Sequence, residues 1–488
     1  MAAPRKMRVL MLGWEFPPFI AGGLGTACYG LTRALDRLGH EVLFILPRAV
    51  DRTQSSHVKL LSPEAALHVG DTAPGRRGSH GKEFAPARPD ATRPDASDGP
   101  YAMPEFTHAR FHGVAASFTS PYPGFAPHAG SLAGLEGGSG GGPGGVGDGG
   151  DDGDALHGPG SATLARIDAG GSHYSGDLVG DAERYARLVV ALARREKFDV
   201  IHAHDWLTYP AGIALSRVTG KPLVVHVHST EFDRSGDHVH QPVYDIERRG
   251  MHAAHRVVAV SMLTKSLCVG RYGVRAGKVD VVYNGVDREA DQPPPGAAIL
   301  SGDRIVLFLG RITMQKGPEY FIAAAQRVLE KMNDVKFVVA GSGDMAARMI
   351  ELAAAMGIGH KVLFTGFLRG RDVDRVFRMA DCYVMPSVSE PFGIAPLEAM
   401  SAGVPVIISK QSGVSEVLTH VLKVDFWDVD EMANKILAVL RHPPLGATLR
   451  QHGDFELRRL TWDGAAQKCV ESYGRAIESA GAAGRAEA

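Results

Sequence analysis

The sequence predicts an α/β protein built from two doubly wound halves. Three observations carry this. Short runs that are apolar almost throughout (8–13, 41–46, 222–228, 305–309, 335–340) alternate with segments of helical periodicity. Such strands are buried on both faces, which is the mark of a parallel sheet covered by helices. The rhythm also starts twice, on either side of the Pro-rich stretch Gln292-Pro-Pro-Pro-Gly296. Finally, 488 residues exceed what one core usually absorbs.

Each element follows from its local pattern. Residues 7–13 read as a buried strand, Gly22-Gly23-Leu24-Gly25 as a turn, and the next residues as a helix through Leu38. Gly39-His40 stops that helix, and 41–46 form the second strand of a βαβ opening. From about 48 to 175 the rhythm breaks. Residues 137–153 hold 11 glycines in 17 positions, too little apolar surface to offset ordering entropy, so about 126–160 is expected to be a mobile loop. Its aromatic flanks have enough apolar surface to pack locally; the insertion is either a passive spacer or a lid over an acceptor. Order returns with a helix at 178–195 and strands at 198–202, 222–228, 256–260 and 279–283. The second half reads as strand 305–309, helix 317–332, strand 335–340, helix 344–356, then strands 362–365, 383–385 and 405–408. A last amphipathic helix from about 458, with Trp462, Cys469, Val470 and Tyr473, has no strand after it and is expected to pack back across the boundary. The expected division is 1–296, 297–457, and a C-terminal helix with a flexible tail at 458–488.

Composition narrows the function. A formal net charge of −1, from 53 basic and 54 acidic residues, gives no global field for nucleic acid, so an anionic ligand must be held by local groups. The cysteines at 28, 268, 382 and 469 show no zinc or disulfide spacing and fit core positions in a reducing cytoplasm. The apolar run after Lys6 is too short for a signal-peptide core, and no 18-residue apolar stretch exists. Peripheral membrane contact and oligomeric state stay open.

Chemistry-bearing residues gather at the predicted strand ends. Glu390 lies in a Pro/Gly turn and Glu398, eight positions on, lies in a helical pattern; carboxylates of this kind suit sugar or ribose hydroxyls. Arg311 and Lys316 follow the strand 305–309, where a guanidinium fork and a compact ammonium suit a diphosphate. Gly22, Gly23 and Gly25 let backbone approach a ligand ahead of a helix N-terminus, and Gly341 opens a second such turn. The spacing is not the dinucleotide fingerprint, and the second strand ends without an acidic residue. His202, His204 and Asp205 end one strand and His226 and His228 another. Together these histidines could form a metal cluster, but two alternating pairs have other reasons to share a face, so no metal is expected: His228, followed by a polar loop, reads as a substrate contact, His202 and His226 as scaffold.

In order along the chain, Trp14-Glu-Phe-Pro-Pro18 with Gly22–Gly25, His202-Ala-His-Asp-Trp206, His226-Val-His228, Gly310-Arg-Ile-Thr-Met-Gln-Lys-Gly317 and Glu390…Glu398 form a pattern. It resembles the retaining nucleotide-sugar glycosyltransferases of GT-B type, family 4, which include sucrose and sucrose-phosphate synthases. It is also similar to glycogen and starch synthases. The resemblance covers both halves but not the insertion. It implies two Rossmann-like domains facing a central cleft, with an ADP-, UDP- or GDP-sugar as donor, a saccharide acceptor, and no cofactor or divalent metal. It further implies that Arg311 and Lys316 hold the diphosphate, Glu398 the ribose, and Glu390 the transferred sugar. His228 would touch the sugar's 6-hydroxyl and the Gly22–Gly25 loop would close over donor, with Gly393 and Ile394 at the donor as well. Glycogen synthases carry Lys-x-Gly-Gly where this chain has Ile20-Ala21-Gly22-Gly23, which points away from a strict ADP-glucose glycogen synthase.

The expectation is therefore hexosyl, foremost glucosyl, transfer to an α-glucan or other saccharide. The alternatives are a sucrose-type, other small-acceptor or lipid-linked-glycan transferase, a nucleotide-sugar epimerase, and a catalytically silent nucleotide-sugar binding module.

Overall fold

Alternation of β-branched runs with amphipathic helices produces two all-parallel sheets in the computed structural model, which describes residues 6–17, 22–47, 107–113, 177–287 and 302–486. The first sheet contains β1 (Arg8–Leu12), β2 (Glu41–Leu46), β3 (Ala109–Gly113), β4 (Val200–His204), β5 (Leu223–Val227), β6 (Arg256–Ala259) and β7 (Val279–Val281). Its order is β3-β2-β1-β4-β5-β6-β7. The second contains β8 (Arg304–Leu309), β9 (Val335–Ala340), β10 (Val362–Gly366), β11 (Cys382–Met385), β12 (Val406–Ser409) and β13 (Leu422–Val424), in the order β10-β9-β8-β11-β12-β13. Both sheets reverse their winding beside their first strand, between β1 and β4 and between β8 and β11. Ligand crevices open outside the carboxyl ends of strands at such switch points.

Both faces of each sheet are covered. In the first, Leu10, Leu12, Ile201 and Val225 pack on one side, and Val9, Met11, Val200 and Val224 on the other. All four cysteines are buried and free. The helix Trp462–Ala486 comes last in the chain yet packs against the first sheet's helix Gly23–Arg37. Trp462 lies over Gly30, where a Cβ would stand 2.2 Å from the indole. Tyr473 reaches His202 with its hydroxyl 2.7 Å from Nδ1, and Ser472 Oγ donates to Asp280 at 2.8 Å.

Contacts between the halves flank the cleft. The Glu416 carboxylate accepts the N–H groups of Met262 and Leu263 (2.9 and 2.7 Å), capping the helix Met262–Gly270 of the first half from the second. Tyr283 donates to the same carboxylate at 3.0 Å, and Ser389 Oγ donates to Asp233 at 2.7 Å.

The structure departs from the sequence reading in three places. β4 runs Val200–His204 rather than 198–202, so both histidines lie within the strand. β3 emerges inside the stretch read as an interruption, as an edge strand parallel to β2. Its sequence, Ala-Arg-Phe-His-Gly, has no apolar run to announce it. β13 and the helices Gln241–Ala253, Arg371–Met379, Val429–Arg441 and Pro443–Leu457 complete the two halves and also lay outside that reading. The glycine-rich segment at 126–160 and the Pro-rich stretch 292–296 fall outside the described residues.

Truncating Trp462 leaves a large hole between two helices that hold the C-terminus on the first sheet. We expect Trp462→Ala to cost about 3–5 kcal/mol, read as a lowered midpoint in denaturant unfolding; an unchanged midpoint contradicts this packing.

Candidate active site

The cleft between the two sheets has a volume of ≈ 760 Å³ and is lined by residues from the carboxyl ends of strands of both sheets. Arg311 follows β8 after Gly310. Lys316 ends the 3-10 turn Met314–Lys316, and Gly317 then begins the helix Pro318–Leu329. Lys316 Nζ forms an ion pair with the Glu390 carboxylate, which also accepts from Ser387 Oγ at 3.1 Å. The Val388 N–H donates to the Gln315 carbonyl at 2.9 Å, so the loops after β8 and β11 are tied by backbone as well as by charge. Glu390 is 6 % exposed, and its backbone is fixed on both sides: its N–H donates to the Gln411 carbonyl and its carbonyl accepts from Gly413.

Two glycines are required by geometry. At Gly341 φ is +146° and a Cβ would stand 1.8 Å from the Gly310 carbonyl oxygen, so the loops after β8 and β9 can meet only through glycine. At Gly393 φ is +103°, turning the chain from the Glu390 loop toward the helix Ala395–Ser401. That turn brings Ile394 and Glu398 to the cleft. Glu398 opens partly to the cleft but is otherwise enclosed, and burial raises its pKa from 4.5 to about 7, with a smaller push from Asp374.

On the opposite wall stand Gly22, Gly23 and His228. Gly22 precedes the helix Gly23–Arg37, whose first turn faces the cleft through Leu24 and Thr26. Gly25 is buried within that helix and does not line the cleft. Burial lowers the pKa of His228 to about 3, so the ring is neutral, and its Nε2 lies 2.9 Å from His204 Nδ1. Its backbone N–H donates to Asp205 Oδ1 at 2.7 Å. Asp205 has φ 57°, a conformation uncommon outside glycine, and burial raises its pKa to about 7 against the pull of the His228 N–H.

All the residues picked from the sequence except Gly25 thus line one cleft. Sequence reasoning assigned no role to Asp205, Asn284, Thr313 or Asp344, which line it too. Asp205 had a visible signal, a polar residue at an apolar strand's end, but the left-handed backbone that aims it could not be read. Asn284 follows β7 with no local signature.

Comparison with known proteins fits this geometry. Family models match in chain order: starch synthase catalytic domain over 8–78, glycosyltransferase family 4 over 164–290, and glycosyl transferases group 1 over 293–454. A glycosyltransferase of Methanocaldococcus jannaschii, itself uncharacterised, is 33 % identical over 309 residues, covering 59 % of this chain and 77 % of the relative. The chain belongs to the family 4-type GT-B glycosyltransferases. Another member, the D-inositol 3-phosphate glycosyltransferase of Mycobacterium sp. (strain KMS), is 30 % identical over 301 residues, covering 57 % of this chain and 67 % of its own. Among solved structures, sucrose-phosphate synthase from Thermosynechococcus elongatus shares the GT-B fold with TM-score 0.65 at 17 % identity, over 96 % of this chain and 98 % of that one. Anabaena HepE, solved in complex with UDP and glucose, superposes with TM-score 0.61 at 17 % identity, over 95 % and 98 %.

The raised pKa of Glu398 has a stability consequence. The folded state holds the proton longer than the unfolded chain, so its contribution is full below about pH 4.5 and is lost as pH rises toward about 7. Asp205 contributes in the same direction, so the test is a difference. In the ligand-free protein, Glu398→Gln should lose less stability than wild type between pH 5 and pH 8, by roughly 1 kcal/mol or more; parallel curves from denaturant titrations contradict a raised pKa.

Proposed function

We propose that this glycosyltransferase moves a hexosyl unit, foremost glucosyl, from a nucleoside diphosphate sugar to a saccharide hydroxyl, with retention at the anomeric carbon. The observation that carries the reading is that Arg311, Lys316, Glu390 and Glu398 line one cleft, with Lys316 ion-paired to Glu390. Arg311 and Lys316 would hold the diphosphate, Glu398 the ribose hydroxyls, and Glu390 the transferred sugar, with Gly393 and Ile394 shaping the donor's seat. His228, Gly22 and Gly23 would close the sugar from the first half.

The chemistry follows from the charges. The bond between the sugar's anomeric carbon and the diphosphate oxygen breaks, and its electron pair leaves on that oxygen. Fixed cations at that oxygen gain most in the transition state, which is what accelerates the step. The acceptor oxygen bonds to the same face of the carbon, and its proton passes to the departing phosphate. No divalent metal is needed at the diphosphate, because Arg311 and Lys316 supply the charge. In the free enzyme Lys316 is paired with Glu390. Donor binding would exchange that pair for a Lys316–phosphate contact and free Glu390 for sugar hydroxyls. Closing the halves would keep out water, whose attack wastes the donor.

For the acceptor, a small molecule is the second reading. The stretch Ile20-Ala21 before Gly22-Gly23 lacks the lysine of glycogen synthases. Relatives include D-inositol 3-phosphate glycosyltransferases and a 2-deoxystreptamine N-acetyl-D-glucosaminyltransferase, both named for small acceptors. Our reading also puts the reaction in the cytoplasm, supported by four free cysteines; among the described residues no helix is long and apolar enough to cross a membrane.

Transfer from ADP-, UDP- and GDP-sugars should be assayed against glucan, glucose and sugar phosphates. With the productive pair, Lys316→Ala and Glu390→Ala should each lower kcat at least about tenfold, roughly 1.4 kcal/mol of transition-state stabilisation. Near wild-type turnover in both variants contradicts the site assignment.

A further inference from the structure

Beneath the cleft, four histidines share one face of the first sheet. His202 and His204 alternate on β4, and His204 stands opposite His226 on β5. Residues two apart on a strand point to one face, and in-register neighbours point with them. The ring centroids of His202 and His204 are 4.2 Å apart, and those of His204 and His226 are 5.3 Å apart. All three residues are at most 2 % exposed, and one ring nitrogen from each lies within 4.8 Å of the others.

The hydrogen bonds sort the nitrogens. His202 Nδ1 meets the Tyr473 hydroxyl at 2.7 Å, and His204 Nδ1 meets His228 Nε2 at 2.9 Å. What remains buried without a hydrogen-bond partner is His202 Nε2, His204 Nε2 and both nitrogens of His226. Each such orphan costs roughly 1–3 kcal/mol. Three of them, one from each residue, lie close enough to share one occupant.

We propose that His202, His204 and His226 form a site for one zinc ion. Three neutral imidazoles suit a borderline-soft divalent ion, and among the described residues no carboxylate joins the cluster as magnesium or calcium would want. Zinc accepts a set of three histidines, with a fourth position for water or a neighbour. Its nitrogen ligands stand about 2.0–2.1 Å from the metal, so the rings must close inward by roughly 1 Å. The outer hydrogen bonds are the ones such a site uses. With Nε2 bound to metal, His202 keeps its proton on Nδ1 and donates it to the Tyr473 oxygen, and His204 likewise donates to His228 Nε2. The ion would thus tie the C-terminal helix to the first sheet through Tyr473. It would also fix the tautomer of His228 at the cleft while standing apart from the diphosphate site.

The test uses the full chain, stripped of metal with a strong chelator and titrated with Zn²⁺ or Co²⁺. The expected result is about one zinc per chain in the protein as purified. Stripping should lower Tm and zinc should restore it. Co²⁺ should give the intense visible absorption of a tetrahedral site. His226→Gln should abolish the Co²⁺ absorption, and the control His442→Gln, an exposed histidine of the second half, should keep it. Tyr473→Phe should weaken zinc binding about tenfold. Folded wild-type protein with well under one metal per chain, no response of Tm to zinc, and no Co²⁺ band would overturn the site. If His226→Gln does not fold, the wild-type titration decides alone. A Co²⁺ band that survives in folded His226→Gln also overturns it.

Discussion

The ion pair between Lys316 and Glu390 is the interaction on which the site depends. It joins the loops after β8 and β11, the two strands that flank the reversal in the second sheet. Without it, the partly exposed Lys316 would lose its counter-charge and the buried Glu390 carboxylate would keep only the Ser387 hydroxyl. With it, both are held at the wall of the cleft, along with Arg311. The backbone bonds from Val388 to Gln315 and from Glu390 to Gln411 hold the loops in place whether or not the pair is intact. The charges can therefore rearrange without the loops unfolding.

The same logic of paired strand ends organises the first half. There the reversal lies between β1 and β4, and the residues that line the cleft include Gly22, Gly23, His228 and the carboxylate of Asp205. Asp205, with its left-handed backbone, accepts the His228 N–H and so sets the height of that histidine at the cleft. The second half's wall of the cleft carries Arg311 and Lys316, while Gly22, Gly23 and His228 line it from the first. Glu416 capping a helix of the first half, and the helix Trp462–Ala486 lying on the first sheet although it follows the second, hold the two walls face to face.

Much of this was legible in the sequence because buried parallel strands announce themselves. The runs around 41–46 and 335–340 have no competing pattern, and Arg311 and Lys316 could be placed because they lie in the short loop just after the apolar run 305–309. The resemblance to family 4 glycosyltransferases, which the family matches bear out, is what suggested roles for residues whose spacing alone left them open. What stayed hidden depended on tertiary register or backbone sign. β3 is short and mixed in character, and only its pairing with β2 makes it a strand. The histidines were visible as two alternating pairs, but their meeting depends on His204 standing opposite His226, which no local pattern encodes. Gly25 looked like its neighbours Gly22 and Gly23, yet the helix begins at Gly23 and turns Gly25 inward.

The most direct measurement is a crystal structure of the protein with a nucleoside diphosphate bound. The account predicts both phosphorus atoms within contact distance of the Arg311 guanidinium and the Lys316 ammonium, the ribose hydroxyls on Glu398, and the Lys316–Glu390 pair opened. Phosphates bound elsewhere, among the histidines of the first half or outside the cleft, with that pair still closed, would contradict it.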